Sequence, residues 1–196
     1  MSGLWNDRGV VRVDRWQEGD EEKLGELILY VAEKLLTDPP GGATKLNKVL
    51  YFAEFSSIRA HGSPITGVAY QKLANGPAPR RLVPVRDRLI DDGAALLRMD
   101  NYFGKPLQRL IPLRHAEVSR FSAEELEIID QVIGALWGKT ANEVSRMSHD
   151  EQGWKIVEEG EDIPLATAYL AKKAVLTDNV RKHAQELAEK LASPRS

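Results

Sequence analysis

Apolar residues recur at intervals of three and four after Asp20, at Leu24, Leu27, Ile28, Val31 and Leu35. That spacing predicts an amphipathic helix. Asp20 is a good N-cap, with Glu21 and Glu22 in the first turn, and Asp38-Pro39-Pro40-Gly41-Gly42 stops the helix. A second helix is predicted over Thr44–Ala60, capped by Thr44, with Leu46, Val49, Leu50, Phe52 and Ala53 on its apolar side. His61-Gly62-Ser63-Pro64 ends it. Residues 62–79 hold Gly62, Pro64, Gly67, Gly76, Pro77 and Pro79, which predicts a shaped loop with a short strand over Val68–Leu73. A third helix follows over Arg80–Asp91, ended by Gly93. Ala95–Met99 and Leu107–Leu113 then flank a turn at Asp100–Gly104 and read as a hairpin.

The rest of the chain reads as helical. Ser122 with Glu125 and Thr140 with Glu143 are capping boxes, opening helices at Ala123–Trp137 and just after Thr140. Ser148 with Glu151 is a candidate third, and Asp162-Ile163-Pro164 places a proline near a helix start. Val180, Ala184, Leu187 and Leu191 give a charged amphipathic helix over 178–191. The expected class is mainly α (α+β), a compact helical domain with a small β-hairpin or short sheet. The expected division is a lead-in at 1–19, a helical domain at 20–172 and a charged helix or tail at 173–196.

Composition narrows the chemistry. The 196 residues include no cysteine, which removes disulfides, thiolate metal sites and cysteine nucleophiles. The N-terminal residues carry five charges and no apolar run, so they are not read as a signal peptide, and no stretch reaches the ~20 apolar residues that span a bilayer. The expected location is the cytoplasm, with no membrane partner. Net charge is only −2, but residues 80–115 carry net +4 and residues 116–170 net −8. Such asymmetry can guide a partner electrostatically, and also arises from solvated faces that merely differ.

Catalytic and metal readings find little support. Ser148-His149-Asp150 has the residue types of a triad, but neighbouring side chains diverge, whereas a triad is assembled in space. None of His61, His115, His149 and His183 has a partner at a zinc-motif spacing. Pro39-Pro40-Gly41-Gly42-Ala43-Thr44-Lys45-Leu46 fails as a phosphate loop, since Leu46 stands where Ser or Thr must ligate magnesium and a helix precedes it. No catalytic residue, metal or cofactor is expected, and the chain is read as not an enzyme. A nucleic-acid reading competes: Arg80, Arg81, Arg86 and Arg88 on the third helix, with Arg98, Lys105, Arg109 and Arg114 in the hairpin, have the layout of a winged helix. Asp87, Asp91 and Asp92 interrupt the patch and Pro84 interrupts the helix, so specific DNA binding is not expected.

The string Thr44-Lys45-Leu46-Asn47-Lys48-Val49-Leu50-Tyr51-Phe52-Ala53-Glu54, then His61-Gly62-Ser63-Pro64-Ile65-Thr66-Gly67, Tyr70 and Gly76-Pro77-Ala78-Pro79, resembles the signature of Panacea domains. Phe121-Ser122-Ala123-Glu124-Glu125, Asp130, Val132, Ser145-x-x-Ser148-His149 and Trp154 continue the likeness, which spans about 22–170. Val68-Ala69 departs from it, where a more polar pair is expected. The resemblance to these SocA-like antitoxins implies a non-enzymatic protein that binds and neutralises a cognate toxin. Masking in a stable complex and delivery to a protease complex are both compatible with it. A DNA-binding regulator is the alternative from another class. The expected partner surface is the frame of helix Thr44–Ala60 and loop Gly62–Pro79, with Lys45, Lys48, Tyr51, Tyr70, Asn75, Gly76 and Pro77 as contact residues. Lys45 and Lys48 are three apart and share a face, while Tyr70 and Asn75 are expected to be reachable. A standard interface needs ~800 Å² per partner, so the basic hairpin or Val180, Leu187 and Leu191 of the last helix are expected to contribute.

Overall fold

The computed structural model describes residues 19–170. The lead-in and the C-terminal helix, with Val180, Leu187 and Leu191, lie outside the described residues. Helix α1 spans Glu21–Leu35, and the Asp20 side chain accepts from the Lys23 N–H at 2.8 Å, satisfying one of the orphan donors of its first turn. Its apolar stripe, Leu24, Leu27, Ile28, Val31 and Leu35, is fully or almost fully buried. Helix α2 spans Ala43–His61 and is the element around which the core is assembled. Its N-cap is Gly42 rather than Thr44, because the chain enters extended at Gly42 and is already helical at Thr44. A side chain at Gly42 would also run into Leu107 of the hairpin, so this corner is kept free of one.

Helix α3 spans Leu82–Asp91, two residues shorter at its start than Arg80, and Gly93 follows it at φ +68°. Pro84 is its third residue, where the missing N–H has no intrahelical acceptor to lose. Strands β3 (Ala95–Tyr102) and β4 (Lys105–Pro112) pair antiparallel from Ala95↔Pro112 to Tyr102↔Lys105. The turn is therefore only Phe103-Gly104, shorter than the five residues expected. Both turn residues have positive φ, +50° and +76°, and Asn101 Oδ1 accepts from the Gly104 N–H at 2.8 Å. Arg109 on β4 ties the hairpin to the α1–α2 corner: Nη1 donates to the carbonyls of Leu35, Asp38 and Gly41 at 2.9, 3.0 and 3.0 Å, and Nη2 donates to that of Pro39.

A second sheet was not evident from the sequence. It joins β1 (Tyr70–Gln71) to β2 (Ala78–Pro79) and to β5 (Asp162–Ile163), in the order β2-β1-β5, all antiparallel. The expected strand Val68–Leu73 is thus two residues long, and its partner comes from the far end of the described chain. Helices α4 (Ala123–Leu136) and α5 (Ala141–His149) both open with complete capping boxes. The third expected box is absent: Ser148 lies inside α5 and donates to the Ser145 carbonyl at 2.8 Å, while Glu151 caps the short α6 (Gln152–Lys155) without a side-chain bond. Pro164 precedes a 3-10 helix, Leu165–Tyr169. The class is α+β with predominant helix, as expected.

Candidate partner-binding surface

Of the seven expected contact residues, Asn75 alone is exposed. Lys45, Lys48, Tyr51 and Tyr70 are each 0–1% exposed, and Gly76 and Pro77 are buried. The expectation that Tyr70 is reachable is therefore corrected. Tyr70 faces inward from β1 and meets Tyr51 and Phe55 edge-on, with ring centroids 5.7 and 5.8 Å apart. Neither do Lys45 and Lys48 present a shared exposed face. Lys45 ion-pairs with Asp38 inside the α1–α2 corner, both side chains fully buried, and burial lowers its pKa from the ordinary lysine value despite that partner. Lys48 instead reaches the loop and donates to the Pro77 carbonyl at 3.1 Å. Among the described residues no carboxylate pairs with it, and burial brings its pKa down to about 8.

These residues thus build the frame. Three polar side chains of α2 hold the loop over 62–79. Lys48 takes Pro77, Ser57 Oγ donates to the Ser63 carbonyl at 2.8 Å, and Glu54 accepts from the Thr66 and Gly67 N–H groups at 3.1 and 2.5 Å. Gly76, at φ +97°, fits against Lys48 and Ser148, so the Gly76-Pro77 turn, α2 and α5 meet at one point. Asn75 adds its carbonyl as acceptor for Ser145 Oγ at 3.0 Å. His149 stacks on Trp154 at 4.1 Å with its pKa lowered by burial and by the charge of Lys48, and Lys72 Nζ lies 4.2 Å from the Trp154 ring. Among the described residues, no group of three or more His, Cys, Asp or Glu is placed to hold a metal ion.

Glu54 makes this frame sensitive to pH. It is fully buried, and desolvation raises its pKa from 4.5 to about 7, against the bonds from Gly67 and Thr66 that lower it. Between pH 4.5 and about 7 the folded chain keeps a proton that the unfolded chain has released. Stability therefore falls as pH rises across that window, by about 3 kcal/mol for a shift of this size. Thermal unfolding from pH 4.5 to 8 is expected to show this decline in the wild type and to lose it in Glu54→Gln. A wild type and a Gln variant with parallel profiles would refute the assignment.

The outward side of the same frame carries an open groove of about 270 Å³ between α2, α3, the three-stranded sheet and the hairpin. Leu46, Leu82, Val83, Leu97 and Leu110 make it apolar, Arg80 and Arg86 border it, and among the described residues no carboxylate lines it. The side-chain amides of Asn47 and Gln108 line it, with no hydrogen bond to another side chain or carbonyl among the described residues. Periodicity could not reveal this groove, since its walls come from seven elements brought together by the tertiary fold. The basic residues of the competing winged-helix reading are paired. Apart from Lys105, each of the eight from Arg80 to Arg114 has a carboxylate within 4.0 Å; the partners include Asp162 for Arg80, Glu21 for Arg81 and Arg88, Asp100 for Arg98 and Arg109, and Glu26 for Arg114. Arg109, expected on the basic face, is buried.

A family model described as "Antitoxin SocA-like, Panacea domain" matches residues 46–155, more than half of the chain. The chain belongs to this family. No curated protein and no solved structure matches it. The Panacea-domain match begins inside α2 and ends with α6, narrower than the 22–170 read from the signature. It contains the loop, the groove's outer walls and the hairpin, while α1 and the 3-10 helix lie outside it. The Val68 departure has a packing account: Val68 is buried against Gly19, where a polar side chain would lack a partner. In this Panacea domain, Lys45, Lys48, Tyr51 and Glu54 of α2 serve the interior, while Leu46 and Asn47 of the same string line the groove.

Proposed function

We propose that this chain is an antitoxin that neutralises a cognate toxin by direct binding, and that the groove beneath the hairpin takes the toxin. The observation that carries this reading is the groove itself: an open apolar floor without a lining carboxylate, on a Panacea domain. A rigid loop-on-helix frame holds the walls in place, which reduces the ordering cost of docking. The role is non-enzymatic, its place is the cytoplasm, and the mode is masking in a stable complex. The pairing of the basic residues with carboxylates speaks against the DNA-binding alternative, because each contact to a phosphate would first have to break an ion pair. No helix among the described residues is long and apolar enough to cross a membrane.

Co-expression with the product of the adjacent gene tests the proposal. Val83 and Leu97 are 51% and 38% exposed, so Val83→Glu and Leu97→Glu should fold normally. Each is expected to weaken neutralisation by roughly tenfold or more, as for truncation at the centre of an interface. Undiminished neutralisation by both folded variants would sink the groove. Recovery of a stoichiometric complex supports masking, whereas loss of the toxin that is prevented in a protease-deficient host would replace masking with delivery.

A further inference from the structure

We infer that Phe103, at the hairpin tip, is an aromatic anchor that inserts into an apolar pocket on the partner protein. This rests on the antitoxin reading above and adds a second contact to it, outside the groove. Phe103 is 89% exposed, the most exposed large apolar side chain among the described residues. It is also the described non-glycine residue with positive φ, at +50°. Two-residue hairpin turns with both φ values positive favour Asn, Asp or Gly at the first position. A bulky side chain there strains the backbone, and persistence of such strain points to use. The fold thus bears two separate costs at one residue, an unfavourable backbone and a large apolar surface in water. The edge-on contact with Tyr102 offsets these costs only in part, since the Phe103 side chain remains 89% exposed.

The surroundings fit an anchor. Tyr102 meets the Phe103 ring edge-on at 4.8 Å and 86°, which restricts its rotamers. Alternate residues of β3 share one face, so Leu97 and Met99 form a lane leading toward the tip, with Leu110, Gln108 and Pro106 opposite Leu97, Met99 and Asn101. Leu97, Gln108 and Leu110 line the groove, and Met99 is 64% exposed. The groove floor therefore continues along the hairpin toward Phe103 through Leu97, Met99 and Pro106, with Gln108 and Asn101 interspersed. A lipid surface is the weaker match, because the tip offers a single fully exposed aromatic, with polar Asn101 and Lys105 beside it and the Asp100–Arg98 pair below. Single aromatic anchors seated in pockets are how protein interfaces concentrate their affinity.

The test compares Phe103→Asn and Phe103→Tyr with the wild type in neutralisation of the adjacent gene's product and in thermal unfolding. Asn suits the backbone and removes the ring, so Tm is expected to rise by a few degrees while neutralisation falls roughly tenfold or more. Tyr keeps ring and strain and should keep both values near wild type. The anchor stands only if neutralisation falls in Phe103→Asn without a fall in Tm; any other pairing overturns it. Phe103-dependent binding to phosphatidylcholine or phosphatidylglycerol vesicles would also overturn it. If the wild type itself fails to neutralise, the antitoxin reading falls and the anchor with it. If the wild type neutralises and Phe103→Asn does so equally, only the anchor falls.

Discussion

Asp38→Ala is expected to destabilise the chain by about 3–5 kcal/mol, the cost of leaving one member of a buried ion pair unpaired. Asp38 and Lys45 have fully buried side chains. Asp38 Oδ2 takes the Lys45 ammonium, and Oδ1 accepts from the Gly138 N–H at 3.1 Å. Truncation would orphan both donors at once. Lys45 can shed its proton, and its lowered pKa makes that easier than for an exposed lysine, but the amide of Gly138 has no such escape. The double change Asp38→Leu with Lys45→Met removes both charges and should lie much closer to the wild type, because apolar replacement of a buried pair is often near neutral. Urea unfolding midpoints for the two variants decide the matter. A single Asp38→Ala loss under ~1 kcal/mol would show that water reaches this corner.

Gly76→Ala is expected to cost about 3 kcal/mol or more, from overpacking together with positive-φ strain. Gly76 sits at φ +97°, where an L side chain is strained whatever the space. There is also no space: a Cβ would lie 2.7 Å from Lys48 Cε and would overlap Ser148 Oγ. Relief would require Lys48 to abandon the Pro77 carbonyl, leaving a buried ammonium without that acceptor. The damage should therefore spread to the loop, seen as faster amide exchange at Gly67 and Tyr70 as well as a lower unfolding midpoint. By contrast, Gly104→Ala at the hairpin tip meets nothing within 4 Å and should cost only its φ strain. Equal losses at the two glycines would refute the packing account.

The order of helices was legible because it is written in local patterns. Asp20, Ser122 and Thr140 announce three helix starts through their own side chains, and the stripe from Leu24 to Leu35 announces what α1 buries. Ser148 misled because its serine-x-x-glutamate spacing straddles the end of α5 and the start of α6, and its hydroxyl turns back to Ser145. The three-stranded sheet escaped because its pairing joins Tyr70 to Ile163 across most of the domain through strands of two residues each, too short to show alternation. The family signature was readable, but its meaning was not. Lysines at positions 45 and 48 look like a charged helix face until Asp38 and Pro77 are known to lie against them. A lysine with a buried partner seven residues away and another with a carbonyl 29 residues away leave the same trace in sequence as two exposed ones.

Arg109 gives the hairpin a mechanical character. One guanidinium grips four carbonyls of the α1–α2 corner, while its Nε holds Asp100 on the neighbouring strand at 2.9 Å. The grip falls at the Arg98↔Arg109 pair, midway along the eight-pair ladder, and beyond it the strands run on to the tip at Phe103. A clamped beam transmits force at its tip to the helical corner instead of bending locally. In the proposed complex, a partner held at that tip would have to break its contacts together rather than peel them one by one, which would lengthen the residence time more than it changes the rate of encounter.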